Sequence, residues 1–259
     1  MNTRIAAAAA AAALLATAAC GQNSTPAPSS SSTEPAAASS AGAWSSSARP
    51  GPAPAGALAS PAHGYFPSLT ATPGTPDGAT VSIPTLQGGD PAVTKRFNEA
   101  MKASRAGMPP ADESTTASDG ELTGGYRSGV SRIGANAVAG RIVLYWNGKG
   151  AAHPNSSLGT VVIATKTATP VTVDDVYRDK SAALGRIRGL LPELDTSGRL
   201  RADNVSGDDI LDAWLPTATG IEVYVPVAHA AGDYVPVVVP YVKIADLLRP
   251  GMLDVLRAD

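Results

Sequence analysis

The sequence is poor in the residues that most chemistry requires. Among 259 residues there is one cysteine, Cys20. A single thiol excludes an internal disulfide framework and any cysteine-rich metal module, so packing alone must hold a folded domain together. Three histidines, His63, His153 and His229, lie too far apart for a short metal-ligand motif, and no metal or cofactor is expected. Aromatic residues make up 5% of the chain and charged residues 16%, with 20 Lys+Arg against 22 Asp+Glu and no basic block. That balance gives no electrostatic support for binding nucleic acid or a bulk anionic surface. A Gly-x-Ser-x-Gly elbow and an internal repeat are both missing. Nor is there an apolar run of the roughly 20 strongly hydrophobic residues that a bilayer core demands.

What is present begins at the N-terminus. Arg4 is followed by Ile5 to Ala16 without a polar residue, and then by Thr17-Ala18-Ala19-Cys20. A positive end, a short alanine-rich apolar stretch and small residues at its close predict a secretory signal over 1–19. Cys20 after two small residues resembles the lipobox of bacterial lipoproteins, although Thr17 stands where that family prefers leucine. The resemblance implies a diacylglyceryl group on Cys20, and two acyl chains are what stable membrane anchoring requires. The implied location is the extracytoplasmic face of the cell membrane.

Residues 20–62 are almost all Ser, Ala, Pro, Gly and Thr, with Glu34 and Arg49 as the charges and Trp44 as the aromatic. Such a composition does not bury enough apolar area to offset chain entropy and predicts a disordered tether. A coil of about 40 residues spans on the order of 35 Å. A bare linker and an O-glycosylated stalk both fit this composition.

From 63 to 259 the composition becomes that of one globular domain. Thr80 to Ile83 predicts a short strand. Asp90-Pro91 predicts an N-cap and first helical turn, with Val93, Phe97 and Met101 on the buried stripe. The stretch from Gly107 to Gly125 reads as a loop. Strands are expected at Tyr126 to Ile133, Ile142 to Trp146 and Leu158 to Ala164, followed by an Asp174 cap. A helix from Ser181 carries Leu184, Ile187 and Leu191 and is expected to end at Pro192. A second helix near Ser206 to Asp209 would bury Ile210, Leu211 and Trp214. Ile221, Val223 and Val225 alternate with Glu222 and Tyr224, Val235 to Val239 is more continuously apolar, and the C-terminus is helical with a break at Pro250-Gly251. Clustered strands with flanking helices and no β-α-β alternation predict an α+β fold with a mostly antiparallel sheet.

Gly150-Ala151-Ala152-His153-Pro154, Thr169 to Tyr177 (TPVTVDDVY), Gly220-Ile221-Glu222-Val223-Tyr224, Ala230-Ala231-Gly232 and Val237 to Pro240 occur in that order. Together they resemble the extracellular domain of the RsiV type. That family includes ectodomains of lysozyme-sensing anti-sigma factors, accessory modules beside peptidoglycan deacetylases and a secreted mycobacterial antigen. Ala151, the Thr167-Ala168-Thr169 turn and His229 depart from its usual residues. The resemblance implies an α+β binding module rather than an active site. An anti-sigma role does not carry over, because it needs a cytoplasmic domain and a spanning helix, and neither is read in this sequence.

The candidate ligand-binding residues are His153, Pro154, Trp146, Tyr224 and His229. His153 can orient a ligand at a strand end beside the rigid Pro154, or satisfy loop backbone groups. Tyr145 and Trp146 are consecutive on a strand, so one faces away from the core. That outward ring, with Tyr224 on a neighbouring strand, could form an aromatic patch for sugar or protein. The acidic run from Asp203 to Asp209 does not match a calcium loop and reads as helix capping by Ser206 or Asp208, and Asp174-Asp175 also reads as a cap. The expectation is a membrane-anchored, non-enzymatic envelope lipoprotein that binds a wall glycan or an exported protein, with a lysozyme-type partner among the possibilities. The alternatives are an envelope hydrolase acting on peptidoglycan near His153, and an assembly factor for other envelope proteins.

Overall fold

The computed structural model describes residues 56–73, 80–110 and 112–258. The expected signal over 1–19, the lipidation expected at Cys20 and the expected linker up to residue 55 lie outside the described residues. Residues 56–62, which the composition assigns to the tether, pack onto the domain: the Ala59 N–H donates to the Val130 carbonyl at 2.8 Å, and Ala62 bridges to Tyr65.

The first hairpin joins β1 (Tyr65–Pro73) to β2 (Thr80–Gly88) and packs on α1 (Pro91–Ala106). The α1 start is the one the sequence predicts. The Asp90 carboxylate accepts from the Ala92 N–H at 2.7 Å and the Val93 N–H at 3.3 Å, with Pro91 in the first turn. Val93, Phe97 and Met101 are fully buried, each contributing roughly 1.5–3 kcal/mol of burial energy.

The principal sheet holds β3 (Thr115–Asp119), β6 (Gly129–Ile133), β7 (Ala137–Gly148), β8 (Asn155–Ala164) and β9 (Thr169–Pro170), after the minor hairpin β4 (Glu121–Leu122) and β5 (Tyr126–Arg127). All pairings are antiparallel. The long strand β7 pairs with β3 and β6 along one edge and with β8 along the other. β7 separates two cores, and its period-2 alternation sends different residues to each. Ala137, Ala139 and Val143 join the core that contains α3 (Lys180–Leu194), whereas Val138 and Ile142 join the core of α1 and the first hairpin. Gly140 faces α1 at close quarters: a Cβ there would lie 2.9 Å from Met101 Cε and 3.0 Å from Phe97 Cζ.

A second sheet, β10 (Trp214–Pro216), β11 (Gly220–Pro226) and β12 (Tyr234–Pro240), is antiparallel, and α3 packs on β12. The chain closes with α4 (Tyr241–Ile244) and α5 (Met252–Arg257), after the one-turn helix α2 (Val173–Val176) that precedes α3. The α+β class and antiparallel pairing are therefore as expected.

Several local expectations change. The Thr115–Asp119 stretch is a strand, because pairing with β7 outweighs its polar composition. α3 runs through Pro192 to Leu194, since the Asp195 N–H still reaches the Leu191 carbonyl at 2.9 Å beyond the proline. The helix expected near Ser206 is a 3-10 turn at Asp209–Leu211 that leads into β10. Asp208 caps no helix there and pairs with Arg188 at 3.0 Å. The α2 cap is Thr172, not Asp174: the Thr172 N–H and Oγ1 both donate to Asp175 Oδ2, at 2.8 and 2.6 Å. Among the described residues no helix is long and apolar enough to cross a membrane.

Candidate functional site

Two loops meet at one end of the domain. The β7–β8 loop turns at Gly148 to Ala151 and delivers His153, whose Nδ1 lies 3.1 Å from the Pro154 carbonyl. The β11–β12 loop contains a 3-10 turn at His229–Ala231 and returns through Gly232 and Asp233. Asp233 has φ 64°, a left-handed conformation that costs a residue with a Cβ roughly 1–2 kcal/mol and that aspartate tolerates better than most. Its side chain explains why the conformation persists. Asp233 Oδ1 lies 3.0 Å from His229 Nδ1, and Oδ2 accepts the Ser156 N–H of β8 at 2.8 Å. Asp233 thus ties the two loops together and orients the His229 ring. Arg199 adds a further tie, donating to the Ala231 carbonyl at 3.2 Å.

The His153 and His229 rings stack face to face, with centroids 4.0 Å apart and planes within 4°. Sequence reasoning named both histidines, and the structure brings them together with Pro154 across a separation that no spacing rule could bridge. It missed Asp233, whose signal is an i, i+4 relation to His229 after a glycine. The stack is an inefficient metal chelate, because each imidazole lone pair lies in its own ring plane and parallel planes do not converge on one ion. Among the described residues no group of three or more His, Cys, Asp or Glu side chains could hold a metal. No serine or threonine hydroxyl is hydrogen-bonded to either ring among the described residues.

The aromatic candidates divide. β7–β8 register places Tyr145 opposite Ser156 and Trp146 opposite Asn155, at the same end as the loops. Tyr145 is the outward ring, 43% exposed, whereas Trp146 packs beside Val81, Ala117 and Leu144. Tyr224 is not part of a surface patch and is fully buried. The polar face of β11 is covered because it meets β7, so Glu222 and Tyr224 lie against Arg141 rather than water. Tyr224 donates to Glu222 Oε2 at 2.5 Å and accepts from Arg141 Nη1 at 3.3 Å, while Arg141 Nη1 and Glu222 Oε2 are 4.0 Å apart. The Arg141 guanidinium also sits 5.0 Å over the Tyr126 ring. Burial and the neighbouring Glu222 carboxylate push the hydroxyls of Tyr126 and Tyr224 well above the ordinary tyrosine range.

The acidic pairs do not join the histidines. Asp175 is held below the usual carboxylate range by the Thr172 hydroxyl and N–H. Asp174 lines a separate cleft of about 420 Å³ with Lys180, Asp212 and Trp214.

No family model matches this sequence, and no curated protein sequence matches it. Two solved structures align with this chain. One is a member of the DUF3298 family from Bacteroides fragilis NCTC 9343, with 14% identity and a TM-score of 0.53 over 74% of this chain and 96% of that chain. The other is a DUF3298 family protein from Pseudomonas aeruginosa PAO1, with 13% identity and a TM-score of 0.44 over 73% of this chain and 94% of that one. At such identity the first likeness is one of architecture alone: the described domain shares its fold with a DUF3298 family protein.

Proposed function

We propose that this chain is an envelope lipoprotein anchored through Cys20, whose folded domain is a non-catalytic binding module of the RsiV type. Its contact surface is the loop cluster of His153, Pro154, His229 and Asp233, bordered by Tyr145, and its partner is a wall glycan or an exported protein such as a lysozyme-type hydrolase. The observation that carries this reading is the stacked histidine pair. Two loops far apart in sequence are ordered in advance by Asp233 and present imidazole faces and a tyrosine ring at one exposed end. Preordered loops on a rigid scaffold bind without a large ordering cost. The sequence motifs around His153 and Gly220 support the same family.

The test uses the Cys20→Ser chain, titrated with a lysozyme and with purified peptidoglycan fragments, and as bait for host envelope extract. Saturable binding that His229→Ala weakens at least tenfold is expected. Absence of any saturable partner would sink the reading.

The Asp233–His229 hydrogen bond favours a second reading, an envelope hydrolase, because a carboxylate on Nδ1 leaves Nε2 to act as a base. Peptidoglycan turnover by the chain, lost on both His153→Ala and His229→Ala, would establish the hydrolase in place of the binding module.

A further inference from the structure

A second cavity lies away from the histidine cluster, under the first residues of the domain. Gly56 to Ser60 lies outside any strand, with Ala57 and Ala59 half-buried and Leu58 and Ser60 exposed. Backbone groups hold this strap. The Ala59 N–H donates to the Val130 carbonyl of β6 at 2.8 Å, and the Gly56 carbonyl accepts from Arg141 Nη2 at 2.6 Å. One main-chain bond to a strand edge, with Ala57 and Ala59 less exposed than Leu58 and Ser60, is a partial version of the contact a peptide makes in β-strand addition.

The strap leaves much of its groove unused. A cavity of about 350 Å³ remains, with Ser131, Arg141, Thr217, Thr219 and Glu222 in its walls and the whole of Gly56 to Ser60, Ala57 and Ala59 included, on the strap side. Two methyl groups do not fill that space. Ser131 sits where the β6–β7 register shifts, between Val130 and Arg132, a bulge that re-aims its side chain. Its Oγ is closed off from solvent and has no hydrogen-bond partner among the described residues. A buried hydroxyl left in that state costs on the order of 1–3 kcal/mol.

The groove also specifies what fits. Arg141 already faces the Glu222 carboxylate at 4.0 Å, so the oxygen suited to Nη2 is a neutral carbonyl rather than a second carboxylate. Gly56 has φ 76°, and a Cβ there would approach the Tyr126 ring to 3.3 Å. The residue on Arg141 must therefore be glycine.

We propose that this groove is a binding site for an extended peptide that places a glycine carbonyl on Arg141 and turns alternate apolar side chains, larger than alanine, into the cavity. The chain's own Gly56–Ser60 strap occupies the site in cis and competes with such a peptide. The proposal is independent of the histidine cluster.

The probe is an acetylated, amidated and fluorescently labelled Gly-Val-Leu-Val-Ser peptide, followed by polarisation against the full chain and its Ala59→Pro variant. Proline removes the N–H bonded to Val130 and releases the strap without altering the cavity wall. The peptide is expected to bind Ala59→Pro at least tenfold more tightly than the unaltered chain. A Gly-Ala-Leu-Ala-Ser probe should bind that variant less tightly than the valine peptide. Failure of Ala59→Pro to bind while its circular dichroism stays native would overturn the proposal, as would equal affinity for both chains. If Ala59→Pro does not fold, hydrogen exchange at the Ala59 amide of the unaltered chain decides. Millimolar peptide should speed that exchange, and an unchanged rate refutes competition with the strap.

Discussion

The cluster around Arg141 and the cluster around His153 each gather charged and aromatic groups from distant parts of the chain, yet they differ in their relation to water. Arg141 and Glu222 have side chains 1% and 7% exposed, with Tyr126 and Tyr224 closing the space around them. His229 and Asp233 have side chains 38% and 13% exposed and bound one open end of the domain. In the first cluster every polar group depends on its partner, because an unpaired charge there has no solvent to retreat to. In the second, water can replace what a substitution removes, so the same kinds of residues are free to serve a partner molecule.

Substitutions can break or sharpen that contrast. The largest expected effect is from Glu222→Ala, which leaves Arg141 buried without its counter-charge. A loss of about 3–5 kcal/mol in urea unfolding follows from the cost of breaking one side of a buried pair, and a loss below about 1 kcal/mol would place water in this cluster. Next is Gly140→Ala, whose methyl group meets Met101 and Phe97 at 2.9 and 3.0 Å. Overpacking of this kind costs typically about 1–3 kcal/mol, read as a lower thermal midpoint.

A smaller effect belongs to the α2 cap. Thr172→Ala should cost about 0.5–2 kcal/mol near neutral pH. Because Thr172 lowers the folded-state pKa of Asp175, the Asp175 contribution is present above the ordinary carboxyl range and is lost as pH falls through the folded value. The difference between wild type and Asp175→Asn should therefore shrink as unfolding is followed from neutral pH into acid. The smallest stability effect is expected for His229→Ala, within about 0.5 kcal/mol as for exposed positions generally. Partner binding by that variant should nevertheless fall, and a large loss of stability instead would make the histidine stack structural.

Much of the fold was legible because local rules act on contiguous residues. Asp90-Pro91 with Val93, Phe97 and Met101 announces α1, and Ile221, Val223 and Val225 announce β11. Thr115–Asp119 was not legible, since its strand state comes from β7 and not from its own composition. Tyr224 misled for a related reason: alternation with valines marks one face of β11 as polar, but a polar face can be buried when a guanidinium from another sheet meets it. Of the candidate site, His153 and His229 could be named from their loops, whereas Asp233 gained its meaning through Ser156 and His229 together.

By itself the sequence determined what local chemistry can determine. Composition separates a Ser/Ala/Pro-rich stretch from the segment that folds, and periodicity sets the α+β class. The tertiary structure decided which residues meet. Stacking of His153 on His229, burial of Arg141 against Glu222 and the strap laid over Ser131 all depend on chain closure over long separations. Those contacts are selected by the joint packing of several sheets and cores, an energy that no window of neighbouring residues contains.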